Sequence, residues 1–436
     1  MIAATPKLAK YRDETRLERW LARYRFAGTA ARYGLVAIGP ISVSAAHFLA
    51  SVLLFHALPP SEFGLFSFLL IIVPFCMSAT GALLGASVSV SVAKWIAVDG
   101  PELSTHIKVN LLIALAAGAL VFGLMASGGT GLRVALVLGA FAATMTLRWF
   151  GRSLAFALQL PGRAAFSDIV YGALLVAGIG TLTLSNSLSL LRASAVLLIA
   201  CVAALSVFGT PYLRRLFRPG KGGPLSAYSP IWRDLTRWSL LGVVLTELTA
   251  NAHAYLVTFI SGPAAFALLA LGSLMMRPVS LILTALPDRE RPAMARRLAA
   301  GDTAGALRCV KEFRTAAGAI WFGTLLLAVA IMLWFPHLVM KEGYDWTSIV
   351  TVLAIWAAIM AARTWRTPEA VLLQAAQQFQ PLARVSIHSS IVSIAATLAL
   401  LLTVGPIWSL AGILLGDLVM NTRIERLARA WKSAHA

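Results

Sequence analysis

From residue 34 to residue 420 the chain repeats one pattern: an apolar stretch long enough to cross a bilayer, a short polar or basic segment, then another apolar stretch. A spanning helix takes up about 20 mostly apolar residues, and periodicity at that length reads as helix. The runs place helices near 34–57, 65–92, 109–127, 133–158, 165–185, 190–209, 239–260, 264–286, 315–336, 347–373, 383–403 and 406–420. The fold class is therefore an all-α integral membrane protein of about twelve transmembrane helices. Composition agrees, with 59% hydrophobic and 13% charged residues, whereas soluble domains carry about 25% charged residues. No room remains for a soluble catalytic domain, so an enzyme is not expected. Cys76, Cys201 and Cys309 show no paired spacing, and no P-loop, metal-ligand spacing or catalytic triad stands out. No cofactor or metal is expected.

A net charge of +19 would suggest a nucleic-acid partner in a soluble protein. Here the basic residues lie between apolar runs, where they report orientation, and nucleic acid is not an expected partner. Lys and Arg favour cytosolic flanks, and with both termini inside, 33 of the 37 fall on the cytosolic side. Arg133, Arg192 and Lys341 fall outside, and Arg277 lies within a span. The polar start of the chain lacks the features of a cleaved signal peptide. Within it Leu17, Trp20, Leu21 and Tyr24 recur at helical spacing opposite Arg16, Arg19 and Arg23. That pattern reads either as a helix in the headgroup plane or as a solvated basic arm.

The basic segment 210–238 divides the chain. The expected organisation is a cytosolic tail (1–33), a six-helix lobe (34–209), a linker (210–238), a second six-helix lobe (239–420) and a basic tail (421–436). A weak repeat relates the lobes. Ser44-Ala45-Ala46-His47 precedes Pro60 and Phe63-Gly64-Leu65, while Ala250-Asn251-Ala252-His253 precedes Pro263 and Phe266-Ala267-Leu268. Arg148 with Arg152 and Arg363 with Arg366 each precede a Pro-containing turn. Repeats of this kind, with a binding site between the halves, recur in secondary transporters.

This 6+6 arrangement, with Pro-Pro-Ser-Glu-Phe-Gly-Leu-Phe-Ser-Phe at 59–68 and Ala-Leu-Pro-Asp-Arg-Glu-Arg-Pro at 285–292, resembles the polysaccharide flippases. These form the Wzx-type branch of the multidrug/oligosaccharidyl-lipid/polysaccharide exporter (MOP) superfamily. The resemblance implies a transporter in the bacterial inner membrane. It would move a lipid-linked glycan by alternating access in exopolysaccharide or O-antigen biosynthesis, alongside polysaccharide polymerase and export proteins. The drug-extruding branch of the same superfamily is the rival reading, since it shares the architecture and differs in cavity chemistry. A major-facilitator carrier is disfavoured because residues 93–104 lack the Gly-rich, Asp-Arg-containing loop of that class.

Charged groups inside spans usually face a cavity or a partner. Counting rise per residue puts Arg277 and Glu247 at the same depth on adjacent helices, as a packing ion pair or as a cavity pair whose arginine meets a substrate phosphate. Pro278 is expected to bend the helix beside Arg277. Arg148 and Arg152, on one helix face, and Arg363 and Arg366 are candidate cavity cations suited to a diphosphate, or simply positive-inside residues. His47 and His253 occupy matching repeat positions, as a pair across the lobes, as proton carriers, or as packing residues. Asn251 shares a face with Glu247. Asp168, Asp417, Asn110 and His388 fall near inner helix ends and suggest no role. A glycan flippase should present a cationic cavity, an exporter of cationic drugs unpaired carboxylates.

Overall fold

The computed structural model describes residues 29–85, 88, 101–158, 160–217, 223–340, 344–376 and 378–435. The amphipathic pattern around Trp20 lies outside them. The described residues form helices throughout, joined by short turns. The first six are α1 (Thr29–Ala57), α2 (Pro60–Thr80), α3 (Pro101–Ser127), α4 (Leu132–Ala157), α5 (Pro161–Leu184) and α6 (Leu190–Ser206). A short α7 (Thr210–Phe217) leads to α8 (Arg237–Ile260), α9 (Pro263–Met275) and α10 (Arg277–Ala299). The chain closes with α11 (Thr303–Trp334), α12 (Trp346–Ala375), α13 (Phe379–Thr403) and α14 (Ser409–His435).

Among the described residues 8 helices are long and apolar enough to cross a membrane, or up to 10 if each of two sharply bent pairs counts as one span. That is fewer than the twelve expected. The α8 helix, which holds Glu247, Asn251 and His253, and α14, whose last half is charged, are not in that set. Leu115, Ile199, Leu333 and Ile391 are each more than 60% exposed. Such helix faces belong in lipid, and the chain is a multi-pass membrane protein.

Several boundaries moved for physical reasons. The α6 helix ends at Ser206 and the chain turns 112° into α7, so 210–217, the first part of the expected linker, is helical. Gly209 supplies the turn with φ +88°, a conformation that costs glycine little. The α9–α10 bend of 62° falls where Pro278 removes a backbone donor, as expected. Pro40, Pro74 and Pro368, by contrast, sit inside continuous helices. Ser42 Oγ donates to the Gly39 carbonyl and Thr367 Oγ1 to the Arg363 carbonyl, each at 2.7 Å, so neighbouring hydroxyls share the carbonyls near two of these prolines. Asp345 caps α12 by accepting from the Ser348 N–H at 3.0 Å. The hydrogen bonds from Ser348 hold its carboxyl below the usual carboxylate range.

The residues group into two compact units. One contains the described residues of Met1–Ala57 and Leu69–Thr246; the other contains those of Leu58–Phe68 and Glu247–Ala436. In the first, α1 packs along α5, and α3 along α4. Gly118 and Gly139 let α3 and α4 touch: a methyl added at Gly139 would lie 2.8 Å from the Gly118 carbonyl oxygen. The described part of 210–238 also packs here, with Tyr228 OH donating to the Leu83 carbonyl at 2.5 Å. In the second unit α14 packs along α13 and α12. Small residues at such crossings give close backbone approach, the usual basis of helix association in lipid.

Candidate functional site in the membrane-embedded polar clusters

In the first unit the polar groups converge on Asp168. The i, i+4 spacing on α4 aims Arg148 and Arg152 at one face, and both reach this α5 carboxylate: Arg148 through Nη2 to Oδ1, and Arg152 through Nε to Oδ2 at 3.1 Å. Arg148 is 2% exposed. It also donates to Ser167 Oγ at 3.0 Å, and Ser167 passes the chain on to the Ala204 carbonyl of α6 at 2.8 Å. Its guanidinium lies 5.0 Å from the ring centre of Tyr171, whose hydroxyl is 2.8 Å from His47 Nε2. Arg152 stacks on Trp149 and Phe156. Gly39 of α1 closes the cluster, since a methyl there would sit 2.5 Å from Asp168 Oδ2. Four helices thus meet on one buried, charge-assisted network.

The second unit repeats the chemistry with a different partner helix. Arg363 Nε donates to Asp417 Oδ2 at 2.9 Å and Arg366 Nη1 to Oδ1 at 2.5 Å. Here the carboxylate comes from α14, two helices along, instead of from the next one. Nearer the chain end, Glu369 Oε1 accepts from Arg314 at 2.8 Å and from Lys432 at 2.9 Å. Asp168 and Asp417, which the sequence left without a role, are the anchors of both arginine pairs.

The expected Arg277–Glu247 ion pair is not formed. Glu247 Oε1 accepts from Asn251 Nδ2 and from Tyr255 OH, both at 2.8 Å. All three lie on α8 at four-residue steps, so the cluster is local and needs no arginine. Arg277 opens α10 at the bend and makes no ion pair or hydrogen bond with a described residue. Each histidine has contacts within its own unit. His47 bonds Tyr171, whereas His253 is 4% exposed, stacks edge-on to Trp356 with ring centres 5.5 Å apart, and leaves Nδ1 without a hydrogen-bond partner.

A different signal links the sequence repeat to the structure. Phe63-Gly64-Leu65 and Pro263-Ala264-Ala265-Phe266 pack together in the second unit. Phe68 sits edge-on to Tyr255, Phe259 and Phe266, with ring centres 5.8, 5.8 and 6.3 Å away. The turn after the first span, quoted above for the family resemblance, is thus fixed by the corresponding turn of the second half.

Comparison with solved structures matches this arrangement along nearly the whole chain. An inward-facing multidrug resistance MATE family transporter of the MOP superfamily aligns over 92% of this chain and 98% of its own, at TM-score 0.66 and 15% identity. The chain has the MATE-like transporter fold, with its two lobes. An outward-facing multidrug resistance MATE transporter aligns over 92% and 95%, at TM-score 0.54 and 14% identity. So does a MOP superfamily transporter from Pyrococcus furiosus, at TM-score 0.55 and 12% identity, described by the reverse polarity of its binding pocket. No family model and no curated protein matches the sequence. On this MATE-like fold Arg148 with Arg152 and Arg363 with Arg366 each share one buried aspartate, whereas Glu247 and Arg277 have no ionic partner among the described residues.

Proposed function

We propose that this protein is an alternating-access exporter in the cytoplasmic membrane of a bacterium, with both termini inside, and that its cargo is an amphipathic small molecule, as in multidrug efflux. The observation that carries this reading is the match over 92% of the chain to an inward-facing multidrug resistance transporter. The site chemistry supports it. The four arginines suited to a diphosphate hold Asp168 and Asp417 instead. Glu247 has only neutral donors for partners among the described residues, so its carboxyl group is available to a cationic cargo or a coupling proton. The two lobes would alternate between inward-facing and outward-facing states, as the solved transporters of this fold do.

One feature favours a lipid-linked glycan as cargo. Arg277 lies at the N-terminus of α10, in a broken helix, where a free guanidinium and the helix dipole together attract an anion. Each arginine clasp also carries one net positive charge. Under that reading polysaccharide polymerase and export proteins are the partners. Expression in a host stripped of its own efflux pumps, with inhibitory concentrations measured for cationic dyes, separates the two. Raised resistance with unchanged surface polysaccharide on deletion supports efflux; loss of surface polysaccharide with no change in resistance replaces it with glycan transport.

A further inference from the structure

Two turns of π-helix occur among the described residues, and both belong to the first unit. Gly81–Gly85 prolongs α2 beyond Thr80, and Trp232–Thr236 runs directly into α8 at Arg237. Such turns hold well under about 1% of residues in soluble proteins. Each closes i→i+5 in place of i→i+4, so it carries one extra residue, and these turns concentrate at functional sites. Here the two pack against each other.

Tyr228 joins them. Its hydroxyl donates to the Leu83 carbonyl of the first turn at 2.5 Å and lies 3.1 Å from Thr236 Oγ1 of the second. Within 224–230 every residue except Tyr228 is exposed. Its ring stands edge-on to His106 of α3, with centres 5.7 Å apart, and Lys108 donates to the Gly223 carbonyl at 3.2 Å. Thr236 is buried, and its hydroxyl lies 3.5 Å from the Ile231 carbonyl five residues back, the spacing of the π turn. The glycines of the first turn are not there for close packing. A methyl at Gly81 would lie 3.5 Å from Trp149 Nε1, and one at Gly85 3.7 Å from Ser153 Oγ, both ordinary contacts. What they keep is backbone freedom, at a cost to the helix.

We propose that these two turns form one joint, locked by Tyr228, through which α8 changes register when the transporter changes state. Closing the second turn to α-helix shifts the winding by one residue, which turns α8 about its axis by about 100° and slides it about 1.5 Å. The face that carries Glu247, Asn251 and Tyr255 turns with it, because α8 is unbroken from Arg237 to Ile260. A carboxyl group that meets cargo in one state and releases it in the other needs such a change. That consequence rests on the efflux reading; the register change itself does not.

The test uses the purified full-length protein with spin labels at Thr210 and Leu241, both exposed and both in the first unit. A side chain on a helix about 10–12 Å across moves by about 5 Å or more when the helix turns by about 100°. Tyr228→Phe keeps the ring on His106 and removes both hydroxyl contacts, so it should add a second distance to the one seen in the parent protein. Thr236→Val removes the contact from the other turn, should do the same, and serves if Tyr228→Phe folds poorly. Deletion of Arg233, an exposed residue, takes the extra residue out of the second turn and leaves the faces of α8 where they are. That variant should show the parent distance alone, yet extrude a cationic dye at less than about a tenth of the parent rate in a host stripped of its own pumps. A single unchanged distance in Tyr228→Phe and Thr236→Val, or full dye extrusion by the deletion variant, overturns the proposal. A parent protein that extrudes no dye refutes the efflux reading instead, and the distances then decide the joint alone.

Discussion

Gly64 lies against Pro263 so closely that a methyl group at position 64 would be 1.8 Å from the Pro263 carbonyl oxygen. The obstacle is backbone, which cannot rotate away, so only hydrogen fits. Gly64→Val should therefore push 58–68 off the start of α9. Spin labels at Ser61 and Ser261, both exposed, should show a longer distance in the variant. An unchanged distance would show that the contact does not hold the turn.

Asp168→Ala leaves Arg148 buried without a counter-charge. Removing one member of a buried ion pair costs about 3–5 kcal/mol, and the thermal stability of the detergent-solubilised protein should fall accordingly. Replacing the whole clasp with apolar residues, Asp168→Leu with Arg148→Met and Arg152→Met, should recover most of the loss. A triple variant less stable than Asp168→Ala would mean the network does more than neutralise charge.

Glu247→Gln separates charge from hydrogen bonding. A glutamine Oε1 still accepts from Asn251 and Tyr255, so stability should change by less than about 1 kcal/mol. Efflux of a cationic substrate should be lost if the carboxylate binds cargo or a proton. Normal efflux by a normally expressed variant would remove Glu247 from the mechanism.

Arg277→Met tests the free guanidinium. Because no carboxylate is left unpaired by the change, its stability cost should be far below the roughly 3–5 kcal/mol of a broken buried pair. A large drop in melting temperature would reveal a partner absent from this conformation. If the cargo is an anionic lipid-linked glycan, surface polysaccharide should fall although the protein reaches the membrane.

The sequence by itself determined the solvent and the class of fold. Apolar runs of spanning length are a local property, and lipid leaves helices as their natural form. The bend beside Arg277 was equally legible, because Pro278 removes its backbone donor whatever surrounds it. The Arg148–Arg152 face followed from helical spacing alone. What only the tertiary structure decided is who neutralises whom. Depth counting paired Glu247 with Arg277, but depth fixes one coordinate of three, and the rotation of α8 lets Glu247 bond along its own helix. Asp417 lies 51 and 54 residues from the arginines it holds, and nothing local distinguishes it from any carboxylate near a helix end. Its role exists because α14 packs on α12. The α7 elbow was hidden for the same reason: nothing in a basic stretch after an apolar run shows the turn at Gly209 or the groove beside Gly151 in which Phe208 and Tyr212 are buried.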